Sequence, residues 1–343
     1  MEVAKTMKAL VVDGPRKHRV AEVPRPEPQE REVLIRVDSC GFCGTDFHIY
    51  EGRYFANYPL IIGHEISGKV VEVGKRVTRF KVGQTVAVDP NISCGYCRFC
   101  AKGKVHLCEN LDNVGVRRDG GFAEYVTVWE NNVYPISGKV DLEAASLIEP
   151  LSCCVHGADI AGVATADKVV LIGVGPVGLI MLQLIRITGA AEVLVIDPID
   201  EKREIAERLG ADYTLDPRGI DIQKSVSEKL GKPPDVVVEC VGSQATMDLA
   251  WQMADLGGRV VWFGVSDPDV EVAVKPYEVF RKEISIAGSY INPFTFARAI
   301  ELLEANQVDL KSLITHRFSL DEFPQALETY KTDQRKIKMI MKP

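Results

Sequence analysis

The chain has 343 residues, 46% of them hydrophobic and 26% charged, which suffices for two domains that each bury a core. A formal net charge of -7, with no basic cluster beyond short pairs such as Arg117-Arg118, excludes a nucleic-acid surface and points to small-molecule partners. Met1 to Lys17 mixes Glu2, Lys5, Lys8 and Asp13 with short apolar pieces, so neither a signal-peptide core nor a membrane span is expected; the odd count of nine cysteines suits a reducing cytoplasm.

In chain order, residues 1 to about 150 read as short β segments broken by Gly and Pro, among them Glu32–Val37, Ser67–Val73, Gln84–Val88 and Phe122–Val128. A β-rich domain over residues 1–152 is expected. Within it, Cys43 and His64 lie 21 residues apart, with Glu65 beside the histidine. A lone buried histidine is normally structural, and only the company of Cys43 and Glu65 makes His64 a candidate metal ligand. Further on, Cys94, Cys97, Cys100 and Cys108 follow the pattern C-x2-C-x2-C-x7-C. Four thiolates on loops this short can close around one Zn2+ at about 2.3 Å per bond, leaving no open position, so a structural zinc lobe is expected. A disulfide framework is the competing reading, and a reducing compartment argues against it.

The second strong signal lies mid-chain. Lys168–Ile172 is a short apolar run suited to a buried parallel strand, and it feeds into Gly173, Gly175 and Gly178 of a G-x-G-x-x-G turn followed by a helical pattern to about Thr188. The next apolar run, Glu192–Ile196, ends in Asp197, 24 residues after the first glycine, the position of an acid that holds a nucleotide ribose. Further strands are predicted at Asp212–Leu215, Asp235–Cys240, Gly258–Gly264 and Glu283–Gly288, with helices over Asp200–Leu209 and Ser243–Ala254. Six strands complete a doubly wound parallel sheet, a Rossmann α/β domain over residues 153–291. Beyond it, a helix near Phe294–Ala305 and a tail at Ile337–Met341 are too little for a third core, so residues 292–343 should return to the first domain.

Cys-Gly-Thr-Asp-Phe-His (43–48), Gly-His-Glu (63–65), the four-cysteine lobe, Asp-Gly-Gly-Phe-Ala-Glu-Tyr (119–125) and a late dinucleotide fold occur in one order. Over nearly its whole length the chain thus resembles the zinc-dependent medium-chain alcohol dehydrogenases. The resemblance implies a GroES-like catalytic domain interrupted by the Rossmann domain, an active site in the cleft between them, and one catalytic and one structural zinc per chain. It implies a third ligand from Glu149-Pro150-Leu151-Ser152, so that Glu65 and Glu149 share a ligand position and a hydrogen bond to bound water, in an order left open. Asp46 would orient a zinc ligand or simply cap a helix. His156 is expected to pack in a helix, and Cys153, Cys154 and Cys240 to be small core residues.

The same resemblance implies hydride transfer from a secondary alcohol to NAD, with Thr45 and His48 relaying the proton by way of the ribose hydroxyls. Asp197 should favour NAD by repelling a 2'-phosphate, although Lys202 and Arg203 soften that discrimination, one of them lying over the adenine or ribose. Val177 would flank the pyrophosphate, and Phe263-Gly264-Val265 and Ser289-Tyr290 would hold the carboxamide. Gly44 and Glu149 point to the sorbitol and threonine branches, and Ser289-Tyr290-Ile291-Asn292 to polyol dehydrogenases. Ser289 stands where sorbitol dehydrogenases carry arginine, so another pentitol, hexitol or cyclic polyol is the expected substrate, with L-threonine next. A non-enzymatic nucleotide-binding protein of this fold would have lost Cys43, His64 or the relay, and all are present. Relatives pair through the sheet edge, here Glu283–Gly288; a homotetramer is expected, with a dimer as the alternative.

Overall fold

The structure, a computed structural model, describes residues 5–343. Its contacts divide the chain into two compact units, one reaching Pro150 and resuming over Pro293–Pro343, the other Leu151–Asn292.

The first unit is built around the strand Glu32–Phe42, buried along most of its length. In the larger sheet it runs between Glu65–Val73 and the C-terminal strand Lys338–Lys342, and also pairs with Tyr125–Trp129. A smaller antiparallel sheet joins Lys17–Pro24, Thr6–Gly14 and Leu60–Ile61. Leu10, Ile35, Phe42, Ile66, Phe122, Phe323 and Met341 belong to one core, so the C-terminal segment completes it rather than merely leaning on it.

That segment is richer than the expected helix and tail. It also contains the strand Ile314–Ser319, parallel to Lys338–Lys342, and the helix Phe323–Thr332, whose Phe323 is fully buried. The strand escapes a periodicity search because His316, Arg317 and Ser319 interrupt its apolar pattern. The predicted helix from Phe294 begins at Phe296 instead, because Pro293 precedes Phe294 and Phe294 itself adopts φ +56°.

The second unit is a six-stranded parallel sheet in the order Tyr213–Leu215, Glu192–Ile196, Lys168–Ile172, Val236–Glu239, Arg259–Trp262, Ser285–Gly288. Chain order reverses between Lys168–Ile172 and Val236–Glu239, the switch point at which such sheets bind ligands. Val170, Leu194, Val237 and Val260 share the face covered by Val226, Leu230 and Trp251. The strand expected over Gly258–Gly264 is only Arg259–Trp262, because the Phe263 and Gly264 N–H groups both turn back to the Glu239 carbonyl at 2.9 Å.

Candidate metal centres and nucleotide site

Cys43 caps the short helix Gly44–Glu51. One fully buried carboxylate ties it to the next candidate ligand. Asp46 Oδ2 accepts the Cys43 N–H at 2.9 Å, Oδ1 accepts the Gly63 N–H at 3.0 Å, and Oδ1 lies 3.3 Å from His64 Nδ1. Asp46 is thus both the helix cap and the support of His64, the two roles that the sequence left as alternatives. Cys43 Sγ, a His64 ring nitrogen and a Glu65 oxygen lie within 4.8 Å of one another. Burial alone would lower the His64 pKa, but the Asp46 and Cys43 charges outweigh it and carry it well above its ordinary value.

Glu149 is buried nearby but outside that set of three. Its carboxyl is pushed up to about 7, chiefly by burial and further by Glu65 and Asp89, while His64 and Lys338 pull the other way. Thr45 Oγ1 lies 3.7 Å from Cys43 Sγ, and His48 follows one turn later on the same helix. A thiolate, an imidazole and a carboxylate are the donors of an open zinc site. Glu65 Oε2 is buried without a hydrogen-bond partner, so the cluster fits a cation as a third party.

Cys94, Cys97, Cys100 and Cys108 also converge within 4.8 Å. Their sulfurs are wrapped by amides: Cys94 and Asn110 N–H donate to Cys108 Sγ at 3.3 Å, and Cys100 N–H to Cys97 Sγ at 3.5 Å. Backbone donors, led by Tyr96, hold the Cys94 thiol down at about 6, whereas burial drives Cys100 up to about 11. Thiolates stabilised by N–H groups are what a closed zinc lobe needs.

In the second unit, Gly173 adopts φ +85°, and a Cβ on Gly178 would stand 2.1 Å from the Gly173 carbonyl, so helix and strand approach only because Gly178 lacks a side chain. Gly175 caps the helix Pro176–Ile187 and faces open space, a cradle for a phosphate against the first-turn amides at Val177 and Gly178. Asp197 joins this turn directly: Oδ2 accepts the Val174 N–H at 3.0 Å and Oδ1 the Ile199 N–H at 2.9 Å. Of the basic pair it is Arg203, not Lys202, that bonds to the acid, through the Asp197 carbonyl at 2.6 Å. Arg218, which no local motif marks, reaches the Pro198 carbonyl at 2.8 Å.

Phe263 packs on Gly157, and Gly264 lies against the Val241–Gly242 backbone. Val265 and Tyr290 are exposed, while Ser289 Oγ is buried without a hydrogen-bond partner. His156 is half-buried on the helix Ile148–Ala161 and is a member of neither cluster. Cys154 is core, but Cys153 and Cys240 are only partly buried. Sequence reasoning missed Lys338, whose buried Nζ sits 2.5 Å from Glu65 Oε1; no motif flags a lysine on a C-terminal strand.

Among the described residues, no helix is long and apolar enough to cross a membrane. Family models match over residues 29–138, as an alcohol dehydrogenase GroES-like domain, and over 176–305, as a zinc-binding dehydrogenase. D-arabinitol dehydrogenase 1 of Uromyces fabae is 35% identical over 341 residues, covering 98% of this chain and 97% of its own. The L-threonine 3-dehydrogenase of Caldanaerobacter subterraneus is 37% identical over 90% of both chains. A zinc-binding dehydrogenase of Sinorhizobium meliloti, solved with NADP, superposes with a TM-score of 0.96 at 36% identity, covering 99% of this chain and 100% of its own. With two domain families in this order and relatives alike from end to end, the chain belongs to the zinc-binding medium-chain alcohol dehydrogenases, oxidoreductases that act on CH–OH groups.

Proposed function

We propose that this protein oxidises a secondary hydroxyl of a sugar alcohol or cyclic polyol with NAD as hydride acceptor, the first unit being the catalytic and the second the nucleotide-binding domain. The observation that carries it is the convergence of Cys43, His64 and Glu65 in a buried cluster with a carboxylate oxygen still unpartnered. When bound, zinc supplies a Lewis acid that lowers the substrate hydroxyl pKa, and NAD supplies the hydride acceptor. Cys43, His64 and one of Glu65 and Glu149 hold the metal, while Asp46 keeps the two ligand-bearing segments in register.

Thr45 takes up the hydroxyl proton beside Cys43, and His48, one helical turn on, carries it outward. Gly175 and the first-turn amides of the following helix receive the pyrophosphate, Asp197 the ribose, and Phe263 to Val265 with Ser289 and Tyr290 line the nicotinamide end. The four-cysteine lobe holds a structural zinc. The similarity to a D-arabinitol dehydrogenase supports the polyol reading. L-threonine is the second reading, favoured by the 37% identity to an L-threonine 3-dehydrogenase. A cytoplasmic homotetramer completes the proposal.

The deciding experiment is a panel of pentitols, hexitols, inositols and L-threonine, followed as NADH absorbance with protein of verified metal content. Turnover confined to L-threonine would move the chain to the second reading. No turnover on any secondary alcohol would leave a nucleotide-binding protein of this fold.

A further inference from the structure

Glu65 opens the strand Glu65–Val73 and Lys338 opens Lys338–Lys342, two strands separated by Glu32–Phe42. The register places Gly41 opposite Glu65 on one side and Ile340 on the other, so the glutamate must cross the middle strand to reach the lysine. It does so over Gly41. A Cβ there would lie 1.7 Å from Glu65 Oε2, so any other residue would block the passage. On the far side Lys338 Nζ donates to Oε1 at 2.5 Å, with the two side chains 4% and 1% exposed. Oε2 has no hydrogen-bond partner, and a Glu65 oxygen lies within 4.8 Å of Cys43 Sγ and His64.

We propose that Lys338 is a positioning residue that presents Glu65, rather than Glu149, to the catalytic metal: the ammonium holds Oε1, and Oε2 is left as the donor. The proposal rests on the zinc reading of Cys43 and His64. Geometry supports it, because a carboxylate pinned by one oxygen loses little further freedom when the other binds.

The test uses the whole chain with Co2+ at the catalytic site and zinc kept in the lobe, because the visible bands of Co2+ report its donors without turnover. Lys338→Met should shift that spectrum and release the metal to a chelator about 10–100-fold faster than wild type. A folded Lys338→Met protein with the wild-type spectrum and release rate would overturn the proposal. Should that variant not fold, Glu65→Gln and Glu149→Gln decide: a spectrum changed by the first and not the second supports it, and the reverse overturns it. Wild-type protein that takes up no metal beyond the lobe would instead refute the zinc reading itself.

Discussion

Replacing Asp197 by serine tests the nucleotide site most directly. The carboxylate already accepts the Val174 and Ile199 N–H groups at 3.0 and 2.9 Å, yet a carboxylate has about four lone-pair sites, so two remain for ribose hydroxyls. A 2'-phosphate would bring roughly two negative charges to the same place. At a separation of about 5 Å and an effective dielectric of about 20, each unit-charge pair costs about 3 kcal/mol. Arg203 and Arg218, bonded to the carbonyls of Asp197 and Pro198, offset part of this, so a wild-type preference for NAD of about 10^2 is expected.

In Asp197→Ser, kcat/KM with NAD should fall about 10-fold or more as charge-assisted hydrogen bonds are lost. With NADP it should rise, because the charge that repels the 2'-phosphate is removed while Arg203 and Arg218 stay bonded to the neighbouring carbonyls. The variant should also melt earlier, since the Val174 amide loses a buried acceptor worth about 1–3 kcal/mol. The assay compares both cofactors on one accepted substrate at matched pH and salt. Equal wild-type values, or a preference for NADP, would show that the arginines outweigh Asp197 and that the sign of the pocket's charge was misjudged.

Cys43→Ser should abolish turnover while nucleotide binding, measured by fluorescence titration, survives; near-normal turnover with one fewer zinc per chain would mean the catalytic metal lies elsewhere. Cys100→Ser should cost stability or assembly before chemistry, and metal analysis of wild type should find two zinc ions; one ion with all four lobe thiols titratable would refute the lobe. In metal-stripped protein, Glu149 is raised from an ordinary value of 4.5 to about 7, so its contribution to stability is fully present below about 4.5 and is lost as pH rises through 7. Glu149→Gln should therefore melt progressively later than wild type between pH 5 and pH 8, by at most about 3 kcal/mol. A difference independent of pH would show that burial does not disfavour the charge.

Short-range chemistry was legible without coordinates. Four thiols within one loop can meet only one another, and a strand, three glycines and a helix carry a nucleotide turn wherever they occur, so the lobe and Gly173 to Asp197 were readable from spacing. Cys43 and His64 were readable only together with the family resemblance, because 21 residues of chain do not themselves bring two side chains within 4.8 Å. The tertiary structure decided the rest. It gave Asp46 two jobs at once, bonded Arg203 to the Asp197 carbonyl, and brought Lys338 to Glu65 across 273 positions. The strand Ile314–Ser319 and the place of Phe323 in the first core were likewise hidden, since pairing with a strand some twenty residues away leaves no local period. A local motif needs only bond geometry, whereas a buried ion pair between distant strands exists only once sheet register sets both ends.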